Sequence, residues 1–256
     1  MRNNMTRIIL SGCNGKMGRF ITSIVDGRDD CEIVAGVDKD TVILSSYPVF
    51  SSFSDIKCEA DVIIDFSHPS VLNSLLCFVA DTNMPAVIAT TGFDEKQTAL
   101  IYEAAEKYPI FFSFNMSLGI NLLVDLVKKA TDVLADGFDI EIVEAHHNLK
   151  IDAPSGTAIM LANAVNEQLD NSYELTYDRH SERKQRPKKE IGMHAIRGGT
   201  IVGEHEVIFA GKDEIITLSH SARSKEVFAV GAVKAAIYMA GKEKGLYTMK
   251  DVIGNK

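Results

Sequence analysis

The residues with the most chemistry per position lie in one stretch, Glu144-Ala-His-His-Asn-Leu-Lys-Ile-Asp-Ala-Pro-Ser-Gly-Thr-Ala158. His146 and His147 are adjacent, Lys150 follows closely, and Ser155-Gly156-Thr157 ends the run. Histidine moves protons near neutral pH, and a lysine ammonium can protonate or stabilise a developing anion. Sequence neighbours point in different directions, so the two histidines have different tasks. His146 and Lys150 face one space if the turn is helix-like or folds back. Beyond Pro154, the apolar positions Ile159, Ala162, Val165 and Leu169 have a helical period, with Asp152 or Ser155 as N-cap. The amides of Gly156 and Thr157 would then be unpaired donors, a ready carboxylate site. This is chemistry for a small anionic substrate served by a His/Lys proton pair. The bland alternative is a capped helix with surface histidines.

A strand over 138–143 must lead into this stretch, and a helix over 158–169 must lead out. The first half of the chain supplies a different kind of site. Residues 7–11 read as a buried strand, 19–25 as a helix, and Gly12-Cys13-Asn14-Gly15-Lys16-Met17-Gly18 as the turn between them. Strand, glycine-rich turn and helix is the context for binding a dinucleotide pyrophosphate. The glycine spacing is G-x-x-G-x-x-G rather than G-x-G-x-x-G. The apolar run 32–37 ends at Asp38, whose carboxylate suits ribose hydroxyls. Lys39 beside it suits a 2′-phosphate, so the pair hints at both NADH and NADPH.

The α/β rhythm continues. Strands are expected over 61–66, 85–89 and 109–112, and helices over 69–80 and 95–107, the latter capped by Asp94. Ligands of open α/β sheets bind outside the carboxyl ends of the strands. The loops Ala89-Thr90-Thr91-Gly-Phe93 and Ser113-Phe114-Asn115-Met116-Ser117 are therefore candidate walls for the nicotinamide, or simple polar connectors.

After Leu118 the pattern changes. A long amphipathic helix runs through Ile120, Leu123, Val127, Ala130 and Leu134. Residues 171–190 are polar and carry Arg179, Arg183, Lys184, Arg186, Lys188 and Lys189, reading as a surface loop that is either solvated or in contact with an anion. Short β-like pieces follow at 193–196, 200–202, 205–209 and 214–218, and a helical period returns over 226–240. The expected class is α/β: a Rossmann-like cofactor domain, residues 1–117 completed by 227–256, with an inserted α+β, sheet-rich domain over 118–226.

The 256 residues suffice for a proper core, and the formal net charge of −8 argues against non-specific nucleic-acid binding. Cys13, Cys31, Cys58 and Cys77 form no C-x-x-C pair, so free thiols in a reducing compartment and no metal are expected. Residues 1–6 lack the apolar core of a signal peptide, and no apolar run approaches the ~20 residues of a membrane span. A soluble cytoplasmic protein is expected.

At residues 144–158 the chain resembles the dihydrodipicolinate reductase family, whose signature runs E-x-H-H-x-x-K-x-D-A-P-S-G-T-A. The similarity extends to residues 12–19, 90–93, 197–205 and 241–254 and covers essentially the whole chain. The resemblance implies a Rossmann-like cofactor domain and an inserted domain that binds a small dicarboxylate and builds a homotetramer. It implies NADPH or NADH as hydride donor. It places His146 and Lys150 at the catalytic positions and His147, Gly156 and Thr157 at substrate positions. Cofactor contacts fall at Gly12, Cys13, Asn14, Gly15, Lys16, Met17, Asp38, Lys39, Ala89, Thr90, Thr91, Ser113, Phe114, Asn115 and Met116. Ala89 stands where relatives often have Gly, and residues 113–116 depart from the family's usual form around Asn115. Two other readings compete. One is an NAD(P)-dependent dehydrogenase of another small amino or imino dicarboxylate, such as an aspartate dehydrogenase. The other is a catalytically silent nucleotide-sensing module.

Overall fold

The computed structural model describes residues 5–254; residues 1–4, part of the segment read as lacking a leader, lie outside them. The chain divides into two compact units, with boundaries at Leu118/Gly119 and Lys225/Glu226.

The first unit is a seven-stranded sheet. Its strands are β1 (Thr6–Ser11), β2 (Cys31–Val37), β3 (Val49–Phe50), β4 (Val62–Asp65), β5 (Ala86–Ile88), β6 (Pro109–Phe112) and β12 (Gly245–Tyr247). Their order is β12-β6-β5-β4-β1-β2-β3, and every pairing is parallel. Chain order reverses between β1 and β4, the switch point where such sheets take ligands. The strands are almost wholly apolar because both faces are covered. On one face Ile8, Leu10, Ile64, Val87 and Phe111 pack with α1 (Lys16–Asp26) and α6 (Glu226–Met239). On the other, Ile9, Ile63, Ile88 and Ile110 pack with α2 (Leu72–Thr82) and α3 (Glu95–Ala105). The expected Asp94 cap is present as a capping box with Gln97. The closing α7 spans Met249–Gly254.

The second unit is a five-stranded mixed sheet of β7 (Asp139–His146), β8 (Glu174–Thr176), β9 (Glu190–Arg197), β10 (Gly203–Ala210) and β11 (Ile215–Ala222), in the order β11-β10-β7-β9-β8. Helices α4 (Leu118–Leu134) and α5 (Gly156–Glu167) cover one face, burying Ile140, Ile142, Met193, Val207 and Phe209. The opposite face carries exposed apolar groups, with Ile196 at 52% and Ile215 at 67% exposure.

Three local expectations are corrected. Residues 200–202 form no strand; they complete the turn before β10. Strand β8 lies inside the segment read as loop. The basic segment is neither simply solvated nor open to an anion at Arg179 and Arg186. Arg179 pairs with Glu141 and Glu190, and Arg186 pairs with Asp139 and Glu141 and also reaches the carbonyls of Ile140 and Glu190. These acids belong to β7, β9 and their ends, so the arginines fasten the loop to the sheet.

Candidate active site

In the first unit, the β1–α1 turn closes tightly. Gly12 has φ +77°, and a Cβ there would stand 2.3 Å from the Phe66 carbonyl oxygen, so no side chain is tolerated. Gly15 is the N-cap of α1 and no side chain caps the helix, which leaves its first amides for an anionic ligand. Asp38 lies at the end of β2 and accepts from the amides of Asn14 (3.0 Å) and Asp40 (3.2 Å). Those bonds aim its carboxylate and tie it to the glycine turn, and Lys39 beside it is exposed. An uncapped helix end and an oriented acid at the tip of β2 fit a dinucleotide.

Other positions expected to touch cofactor differ in what they can offer. Cys13, Ala89 and Met116 are buried in the core, so only their backbone could make contact. Thr90 is also buried, and its hydroxyl donates to Asp65 at 2.6 Å while accepting from the Ser67 amide. Asp65, itself buried, also accepts from Ser11 and Ser67 at 2.6 Å each, and so joins the ends of β1, β4 and β5. Lys16, Thr91 and Phe114 are exposed, and Met17 is half-buried. The Ser113 hydroxyl donates to the Asn115 carbonyl at 2.9 Å, and the Asn115 side chain accepts from the Ser117 amide at 2.8 Å, which shapes that loop from within.

In the second unit, the strand read as ending at Val143 continues to His146. Its inward residues alternate as Ile140, Ile142, Glu144 and His146, all buried. Glu144 stands opposite His205 of β10, and His146 opposite Arg197 of β9. Glu144, only 1% exposed, accepts from His146 Nδ1 (2.6 Å), both terminal nitrogens of Arg197 (2.8 and 2.7 Å) and the Ser155 amide (3.0 Å). Burial pushes its pKa up, but these donors together hold it below the usual carboxylate value. Burial lowers the pKa of His146; Glu144 opposes this, and the charges of Lys150 and Arg197 add to it. His146 and Lys150 are thus within electrostatic reach of each other. The His205 ring lies 5.2 Å from that of His146, and burial and the neighbouring histidines lower its pKa to about 4.

Ser155, not Asp152, caps α5, accepting from the Ala158 amide at 3.2 Å. Its hydroxyl also meets His205 Nε2 at 3.0 Å. The Gly156 amide is not an idle donor. It faces the Asp152 carboxylate, which also pairs with Lys150 Nζ at 2.8 Å; both lower the Asp152 pKa, Lys150 more strongly. Thr157 is engaged as well. The Gly156 amide expected to grip a substrate carboxylate therefore already faces an internal one. His147 Nδ1 is buried without a hydrogen-bond partner, an atom suited to a ligand. Glu144, Arg197 and His205 had no role in the sequence reading. Extending the inward alternation of Ile140 and Ile142 by one step would have found Glu144.

A doubly wound sheet with a dinucleotide turn, joined in one chain to a sheet bearing a His/Lys loop, defines a two-unit NAD(P)H-dependent oxidoreductase. The dihydrodipicolinate reductase N-terminal model matches residues 6–116, and the C-terminal model matches residues 119–253. Among similar proteins, the 4-hydroxy-tetrahydrodipicolinate reductase of Caldanaerobacter subterraneus subsp. tengcongensis is 53% identical over 97% of this chain and 98% of its own. That of Clostridium novyi is 50% identical over 98% of this chain and 100% of its own. A dipicolinate-bound dihydrodipicolinate reductase from Paenisporosarcina sp. TG-14 has 25% identity and a TM-score of 0.80, covering 97% of this chain and 99% of that one. The chain belongs to the dihydrodipicolinate reductase family. An aspartate dehydrogenase from Thermotoga maritima, at 11% identity and a TM-score of 0.52, shares the fold alone.

Proposed function

We propose that the chain reduces the dehydrated form of 4-hydroxy-tetrahydrodipicolinate to tetrahydrodipicolinate, in the diaminopimelate route to lysine. The observation that carries this reading is the grouping of His146, Lys150, His147 and the Gly156 amide around one loop in a chain about half identical to reductases of that name. NADPH or NADH supplies the hydride when bound. Residues 12–17, Asp38, Lys39, 89–91 and 113–116 hold it, with backbone contacts at Cys13, Ala89, Thr90 and Met116.

The substrate is a cyclic α,β-unsaturated imine with two carboxylates. Its reduction at C4 leaves an electron pair at C3, which must take a proton. Lys150 places a cation where negative charge builds, and His146 offers a proton-exchanging nitrogen beside it. His147 Nδ1 and the amides of Gly156 and Thr157 hold a carboxylate, with Asp152 leaving as it arrives. A relative crystallised with dipicolinate, a planar dicarboxylate, supports this substrate class.

The test is turnover with the product of pyruvate and aspartate semialdehyde condensation, supplied in situ by the upstream synthase. Oxidation of NADPH or NADH is expected, and none with either rejects the reading. His146→Ala and Lys150→Ala should each lower kcat by about 10²–10⁴, with small changes in cofactor affinity.

The homotetramer belongs to the same reading and is supported by the exposed Ile196 and Ile215 on the helix-free face of the second sheet. Light scattering should give four times the chain mass. A cytoplasmic location suits four free cysteines.

A further inference from the structure

The two ring nitrogens of His146 have opposite surroundings. Nδ1 lies 2.6 Å from Glu144 Oε2. Nε2 looks toward Gly203, where an added Cβ would stand 3.1 Å away. Glu144 also takes the two-pronged Arg197 and the Ser155 amide, so every neighbour is a donor. A carboxylate in that setting is ionised and only accepts. The hydrogen shared with His146 therefore sits on Nδ1.

We propose that Glu144 is a positioning residue: by taking the Nδ1 hydrogen of His146 it fixes the tautomer in which Nε2 alone exchanges a proton. Arg197 has the complementary task of keeping Glu144 charged and aimed. The proton balance is simple. Nε2 takes a proton from solvent or from Lys150 to give an imidazolium whose second hydrogen stays on Nδ1. That proton leaves again only from Nε2, and the ring returns to the Nδ1–H form. Glu144 stabilises the imidazolium and is not itself protonated. Strand geometry makes the pairing possible: residues 144 and 146 are two apart on β7 and share its inward face. The assignment rests on the reductase reading only for which reaction the proton serves.

The test uses the full chain labelled with ¹⁵N-histidine, free of substrate, above neutral pH. Long-range ¹H–¹⁵N spectra should show His146 with a protonated Nδ1 and a bare Nε2. In Glu144→Gln, Arg197 claims the single side-chain oxygen and the amide NH₂ turns to Nδ1, so the ring should switch to the Nε2–H form. That variant should lose about 100-fold or more in kcat with cofactor KM unchanged. Glu144→Asp, which remains an acceptor, should keep the Nδ1–H form and recover part of the rate. A wild-type ring protonated on Nε2 overturns the proposal, as does a Glu144→Gln enzyme with the wild-type rate. Should Glu144→Gln fail to fold, the wild-type spectrum decides by itself. Because the tautomer is read without turnover, a chain inactive as a reductase would refute the function and leave this result standing.

Discussion

Arg197 grips Glu144 across 53 residues of chain, with NH1 2.8 Å from Oε2 and NH2 2.7 Å from Oε1. NH2 also donates to the Asp152 carbonyl at 2.6 Å, so one guanidinium joins β7, β9 and the loop that carries Lys150. Arg197→Met leaves a buried carboxylate short of its two strongest donors and should destabilise the chain by about 3–5 kcal/mol. Arg197→Lys keeps the charge but loses the fork, and should fall between that variant and wild type. Urea unfolding measures both. A wild-type midpoint for Arg197→Met would mean that Glu144 does not depend on this partner.

In the proposed reading Asp152, paired with Lys150 Nζ at 2.8 Å, competes with a substrate carboxylate for the Gly156 amide. Asp152→Asn removes the competing charge while keeping the size of the side chain. Dipicolinate should then bind several-fold more tightly, a gain of about 1 kcal/mol, measured by calorimetry. Weaker binding would show that Asp152 organises the loop rather than competing for it.

Gly203 sets the space beside His146 Nε2. Gly203→Ala places a methyl 3.1 Å from that nitrogen and 3.5 Å from Cδ2. A shift of the ring by a few tenths of an ångström should cost kcat about tenfold while the unfolding midpoint changes little. Unchanged turnover would mean that Nε2 does not face the reacting centre.

His205 links the site to pH. Its pKa is lowered from 6.5 to about 4, chiefly by burial, so the folded chain binds this proton less readily than the unfolded chain. The stabilising contribution is therefore full above about pH 6.5 and is lost as pH falls toward 4, to a total of about 3 kcal/mol. His146 and His220, also lowered, act in the same direction. Unfolding free energy should be level above pH 7 and fall below 6.5, and His205→Gln should flatten that fall. The same slope in the variant would assign the loss to other groups.

Much of the fold was legible because its signals are local. The apolar runs at β1, β2, β4, β5 and β6, the glycine turn at 12–18 and the Asp94 cap are each read within a short window. The two-residue β3 and three-residue β8 carry too few positions for a pattern. The true reach of β7 was hidden because charged and histidine residues occupy its inward positions, where an apolar pattern stops. The loop with His146, Lys150 and Gly156 could be read as a place for proton chemistry. Its partners could not, since Arg197 and His205 reach Glu144 and Ser155 through strand pairing 50 or more residues away. The ion pairs of Arg179 and Arg186 were hidden for the same reason: Glu141 is 38 residues from one and 45 from the other.

In the proposed reading Asp38 and Lys39 divide the choice between the two cofactors. Lys39→Ala should raise KM for NADPH several-fold and leave NADH nearly unchanged, a loss of about 1 kcal/mol for one exposed phosphate contact. Asp38→Ala should act mainly on NADH. Equal effects on both cofactors would remove the ribose from this corner.

In the proposed reaction the chain combines a cofactor hydride at C4 with a proton delivered at C3. Isotope placement in the product tests it most directly. With cofactor deuterated at the transferring position and ordinary water, the product should carry one deuterium, at C4. With ordinary cofactor in heavy water, the solvent deuterium delivered by reduction should appear at C3 and none at C4. Solvent deuterium at C4, or cofactor deuterium absent from the product, would contradict the account.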